Sequence, residues 1–63
     1  MLLENVTNVL YKNDYIQLNN KNGEKIWCGL VRYIPLCYYE RIVYNMYIKV
    51  LGDYGILILL IEE

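Results

Sequence analysis

Apolar positions recur along this chain in two rhythms, one helical and one alternating. Near the start, Leu2, Leu3, Val6, Val9 and Leu10 lie at helical spacing. Glu4 stands in the first turn and Lys12 in the last, both favourably placed for the helix dipole. The pattern predicts an amphipathic helix over residues 2–12, with Asn13 as its C-cap because Asn tolerates the left-handed conformation. Asn5, Thr7 and Asn8 are poor helix formers, so this helix depends on packing its apolar stripe.

The alternating rhythm begins at Asp14–Leu18 and resumes in the β-rich run Lys25–Tyr33, with the turn signal Asn20-Lys21-Asn22-Gly23 between them. This is a hairpin with two candidate registers. A two-residue Asn22-Gly23 turn sets Trp27 on the face of Ile16 and Leu18; a type I turn with a Gly23 bulge sets Ile26, Cys28 and Leu30 there. A one-residue slip flips every side chain. The second register is preferred, since it makes one face aliphatic and gathers Tyr15, Trp27 and Tyr33 on the other. Gly29, on that aromatic face, leaves room for a neighbouring ring or backbone. Ile34-Pro35 ends the strand. Leu36–Glu40 then reads as a short helical turn, and Arg41–Leu51 returns to strand alternation.

The last eighteen residues, Met46–Glu63, are the most apolar part of the chain and read as a second hairpin. With its turn at Gly52-Asp53-Tyr54-Gly55 and Gly52 opposite Gly55, Met46, Ile48 and Val50 share a face with Leu57, Leu59 and Ile61. That face is wholly apolar and is expected to be core. The opposite face carries Tyr47, Lys49 and Leu51 beside Ile56, Ile58 and Leu60, a greasy surface expected to meet something other than bulk water. The fold class expected is therefore α+β: an N-terminal helix covering one face of a four-stranded antiparallel sheet made of two hairpins. A small SH3-like β-barrel is the alternative.

Sixty-three residues make a single small domain, residues 1–63, which buries only about 60% of the surface of its unfolded chain. Chains this short usually add disulfides, a metal or a partner subunit to their core. There is no His, and Cys28 and Cys37 do not form a CxxC pair, so a zinc site lacks its usual ligands and no cofactor is expected. Without a signal peptide, the two cysteines read as free thiols in a reducing cytoplasm. The longest apolar run, Ile56–Ile61, is far too short to span a bilayer. A soluble cytoplasmic chain with a partner subunit is what remains, and a homodimer is the expected assembly.

Six basic and seven acidic residues give a net charge of −1, which argues against nucleic acid as the principal partner. Hydrophobic residues reach 57%, with eight Tyr and one Trp, an excess that points to a second buried surface. With neither His nor Ser, no Ser-His-Asp triad or Cys-His pair can be assembled within one chain, and an enzyme is not expected. Cys28 reads as a buried small hydrophobe and Cys37 as more exposed. The carboxylates are scattered over turns and ends, and the four glycines do not form a phosphate loop.

The pattern Asp14-Tyr15-Ile16, Asn22-Gly23-Glu24, Ile26-Trp27-Cys28-Gly29, Ile34-Pro35, then Tyr39, Arg41 and Val43 resembles small uncharacterised proteins of prophages and mobile elements of Gram-positive gut bacteria. The resemblance covers about half the chain and rests on turn and packing residues. It implies a β-rich fold and a genomic setting. The abundance of Asn, Ile, Lys and Tyr, with no Ala, Ser, Phe or His, is what AT-rich coding DNA produces and agrees with that setting.

The aromatic set Tyr15, Trp27, Tyr33 and Tyr47, with Lys49 and Arg32, suits a protein-contact surface, since Tyr, Trp and Arg are enriched at interfaces. Ile56 and Ile58 extend it with an apolar patch. The expected function is a non-catalytic protein-binding module that self-associates or binds a host protein. A nucleic-acid-binding module that stacks bases on the aromatic face is the alternative.

Overall fold

In a computed structural model describing residues 1–63, the order of elements is α1 (Leu3–Thr7), β1 (Tyr15–Asn19), β2 (Lys25–Leu30), two 3₁₀ turns (Val31–Tyr33 and Leu36–Tyr38), β3 (Val43–Leu51) and β4 (Tyr54–Ile61). The two expected hairpins form, β1 with β2 and β3 with β4. They join through their inner strands, so the sheet runs β2-β1-β4-β3, and the β1–β4 seam is parallel, Ile16 facing Leu57 and Leu18 facing Leu59. The sheet is thus mixed rather than purely antiparallel, and open rather than a barrel.

The composition of the strands explains the order. An uninterrupted apolar run suits a strand buried on both faces. In β4, Ile56, Ile58, Leu59 and Ile61 are all buried, a pattern available only to an inner strand. The tyrosine- and lysine-bearing β3 lies at the edge, exposed from Tyr44 to Leu51.

The helix stops at Thr7 instead of reaching residue 12. The Thr7 hydroxyl donates to the Glu4 carbonyl at 3.0 Å, and the next amides bond three residues back, Val9 to Val6 and Leu10 to Thr7, so the α-helical ladder is abandoned. The early end leaves Val9 exposed while Leu3 and Val6 are buried. Amides at the start of α1 are satisfied from elsewhere: Leu3 donates to Arg41 O and Glu4 to Tyr39 O. Leu3 and Val6 pack with Val31, Ile34 and Val43 over Ile16, Leu18, Leu59 and Ile61, forming a single core on one side of the sheet.

Both registers depart from expectation, in different ways. At the terminal hairpin Leu51 pairs with Tyr54, so the two-residue turn is Gly52-Asp53, with Gly52 at φ +65°. Positive φ at the first central position alone is the type II′ pattern, which matches strand twist. The pairs slide by two residues, so the faces stay as expected. Of the expected core face, however, only Leu59 and Ile61 are buried, with Leu57 partly so; Met46, Ile48 and Val50 are 42, 67 and 73% exposed, because α1 is too short to reach the edge strand.

At the first hairpin the turn is the expected one: Gly23, at φ +86°, donates to Asn20 O, and Asn20 donates to Glu24 O. A second bulge then leaves Ile26 unpaired, since Asn19 faces Lys25 but Leu18 faces Trp27. That extra residue flips the rest of β2. Trp27 joins the core side beside Leu18, and Cys28 turns to the other face, opposite Gln17. The preferred sequence register is overturned here by packing, because the flip lets both Ile26 and Trp27 pack against the core. Gly29 makes room for the ring as expected: a Cβ there would lie 3.0 Å from Trp27 Cζ2.

Candidate functional site

The helix and the 3₁₀ turns contribute their buried residues to the core side, and none of these residues packs over Ile56 and Ile58. The second side of the sheet is therefore uncovered. Along β1 it carries Tyr15, Gln17 and Asn19; along β4, Tyr54, Ile56, Ile58 and Leu60; along β3, Tyr47, Lys49 and Leu51; and from β2, Cys28.

Of the residues singled out from the sequence, Tyr15, Tyr47, Lys49, Ile56 and Ile58 come together on this face. Trp27 does not; the bulge at Ile26 places it on the core side. Nor does Tyr33, which with Arg32 belongs to the 3₁₀ turn Val31–Tyr33, beyond the end of β2. The strand expected over Lys25–Tyr33 stops at Leu30, where Val31 donates to Asp14 O and Arg32 to Lys12 O. Sequence reading placed Leu51 on this face without naming it a contact residue, and missed Tyr54. The alternation that places Ile56 and Ile58 on this face places Tyr54 there too, and was the available signal.

Ile56 and Ile58 are not exposed contacts, as expected from the sequence, but a buried floor at 7 and 2% exposure. Ile58 lies between Tyr47 on β3 and Gln17 on β1, and Ile56 lies beside Lys49, so neighbouring side chains on the same face shield them. The exposed rim is Tyr15 at 53%, Tyr47 at 44%, Leu51 at 40% and Tyr54 at 68%. A shallow groove of about 470 Å³ crosses this rim, lined by Tyr15, Gln17, Lys25, Cys28, Leu51, Tyr54 and Ile56.

Cys28 is half-buried in this groove rather than a core hydrophobe, and Cys37 is exposed; both are free thiols. The Tyr15 hydroxyl donates to Cys28 Sγ at 3.4 Å. That hydrogen bond, then the charge at Cys28, desolvation and the nearby Tyr54, raise the Tyr15 pKa above its ordinary value. Gln17 Nε2 donates to Asn19 Oδ1 at 2.9 Å, holding the polar end of the face in place. No three His, Cys, Asp or Glu side chains converge on a common point where a metal ion could sit. No helix is long and apolar enough to cross a membrane.

Chemically the face can bury aromatic and aliphatic surface and offer phenol hydroxyls and two ammonium groups to a partner. Comparison of the chain with protein-family models, with curated proteins and with solved structures gives no match.

Proposed function

We propose that this protein is a non-catalytic protein-binding module that works in the cytoplasm, self-associates, and presents the uncovered sheet face to a host protein. The observation that supports this reading is the rim of Tyr15, Tyr47, Leu51 and Tyr54 around a buried isoleucine floor, on a sheet face that no element of the chain covers. Tyrosine gives large contact area for little lost side-chain freedom and keeps a polar tip for hydrogen bonding, which is why it is frequent at interfaces. The resemblance to prophage and mobile-element proteins makes an accessory or anti-defence role in such an element part of the proposal.

Capture from the lysate of a low-GC Gram-positive host, run with wild type beside Tyr54→Glu and Tyr15→Glu, tests the reading. A protein held by wild type and released by both variants supports it. A captured set that neither variant alters contradicts it. The alternative, stacking of single-stranded nucleic acid on the same tyrosines with Lys25 and Lys49 at the phosphates, is favoured only by oligonucleotide binding that falls steeply with salt.

A further inference from the structure

The two edges of the sheet differ in how they are protected. A free strand edge is a template for another strand, and proteins blunt such edges by shortening, bulging or covering them. On one side, β2 has six residues and is bulged at Ile26. On the other, β3 has nine residues, and its outer edge is covered only at the start, where Leu2 bridges Ile42, Leu3 donates to Arg41 O and Val43 donates to Met1 O. From Tyr44 to Leu51 nothing pairs with it.

The direction of the free backbone groups follows from the register. Leu51 and Tyr54 close a two-residue turn and so form a hydrogen-bonded pair; every second pair along the ladder is of the same kind. Lys49, Tyr47 and Asn45 therefore direct their backbone groups to β4, and Val50, Ile48 and Met46 direct theirs outward. The side chains of these three are the exposed apolar residues that α1 fails to reach. Backbone donors, backbone acceptors and apolar side chains are thus unpartnered at the same positions.

We propose that the occupant of this edge is the β3 edge of a second copy, paired antiparallel about a two-fold axis through Ile48. Three outward residues lie between the Met1 arm and the Gly52-Asp53 turn, and only a pairing centred on the middle one uses all of them. Ile48 then faces Ile48 of the second copy, and Met46 faces Val50 in both directions, each pair exchanging both backbone bonds. A centre at Tyr47 would run Leu51 of the second copy against Val43, where the Met1 arm already lies along the edge. A centre at Lys49 would set two ammonium groups opposite each other. At Ile48 each Lys49 instead meets a Tyr47 ring, a favourable cross-strand and cation–π pairing. The strand is complementary to itself in this register, the requirement of a two-fold contact. Pairing joins the two sheets and brings both uncovered faces to the same side.

The pairing deepens the self-association part of the proposed function and leaves the tyrosine face free for its own partner. Sedimentation velocity and light scattering of wild type, Ile48→Lys and Ile48→Glu over a dilution series test it. Ile48 is 67% exposed, so both variants retain the wild-type circular dichroism spectrum. Wild type dimerises with concentration, each variant alone weakens dimerisation by about tenfold or more, and an equimolar mixture of the two restores it, because the lysine of one copy then faces the glutamate of the other. A wild-type chain that stays monomeric throughout overturns both the edge pairing and self-association, while capture that depends on Tyr54 would still uphold the tyrosine-face reading. A dimer that survives Ile48→Lys but is lost on Tyr15→Glu or Tyr54→Glu overturns the edge alone and moves the contact to that face. A monomer that pairs instead with a captured foreign strand, released by Ile48→Lys, overturns the choice of a second copy.

Discussion

At the scale of single residues, the polar group with most at stake is Asn20, buried at 6% exposure in the first turn. Its Oδ1 accepts the N–H of Asn22 at 2.9 Å and of Glu24 at 3.0 Å, and its Nδ2 donates to Glu24 Oε1 and Glu63 Oε2 at 3.2 and 3.3 Å. Asn20→Asp keeps the acceptor but replaces the donor with a third carboxyl beside two carboxylates, a loss of about 1–3 kcal/mol. The like charges raise the pKa of the introduced carboxyl in the folded state, so the destabilisation is smaller in mild acid and grows as pH rises; urea midpoints at the two pH values check this. For Tyr15 the folded pKa is raised, so its contribution to stability is whole below the ordinary tyrosine value and is lost as pH rises through the folded one. Denaturation from about pH 9 upward should therefore show a shallower loss in Tyr15→Phe than in wild type. Ile58→Lys is expected to cost about 3 kcal/mol or more, because it buries an ammonium group within one chain whatever the assembly. Thermal melts of Ile58→Lys and Ile48→Lys side by side separate that fold defect from an interface defect.

At the scale of elements, the decisive feature is the pair of irregularities in β2. The Gly23 turn alone would put Cys28 on the core side; the bulge at Ile26 reverses this and brings the Trp27 ring over Gly29. Gly29 also has φ +154°, a conformation that side chains disfavour. Gly29→Ala should destabilise the chain by about 1–3 kcal/mol by displacing the ring. Trp27 is the only tryptophan, so a red shift in fluorescence emission reads its displacement directly. An unshifted spectrum with an unchanged urea midpoint would place the ring elsewhere.

At the scale of the whole molecule, the dominant fact is thinness. The shortest dimension is 17 Å, and 13 of 63 residues are buried, so one shallow core carries the fold. Neither cysteine is bonded, and dithiothreitol or a chelator should leave the melting temperature unchanged. Protein concentration should move it instead, since a partner that binds only the folded chain stabilises it by mass action. Melts over a wide range of chain concentration give the test, and a flat series argues against association of the folded state.

What the sequence determined by itself was local. Turn chemistry at Asn20–Gly23, the short helical turn after Pro35 and strand alternation depend on residues a few positions apart, and all three are found in the structure, although β2 ends at Leu30, short of Ile34-Pro35. The sorting of Tyr47, Lys49, Ile56 and Ile58 onto one face survived even a two-residue slide at Gly52-Asp53, because side chains alternate with period two. The tertiary structure alone decided what depends on distant residues. Helical spacing over residues 2–12 produced a helix only over Leu3–Thr7, the turn whose Leu3 and Val6 reach the core and whose first amides are taken by the Arg41 and Tyr39 carbonyls. Packing of Trp27 against the core, more than thirty residues from Leu59 in sequence, selected the bulge that removed it from the candidate site. The parallel seam of β1 and β4 arises because the strand apolar on both sides must lie inside the sheet, a choice made between strands and invisible within either one.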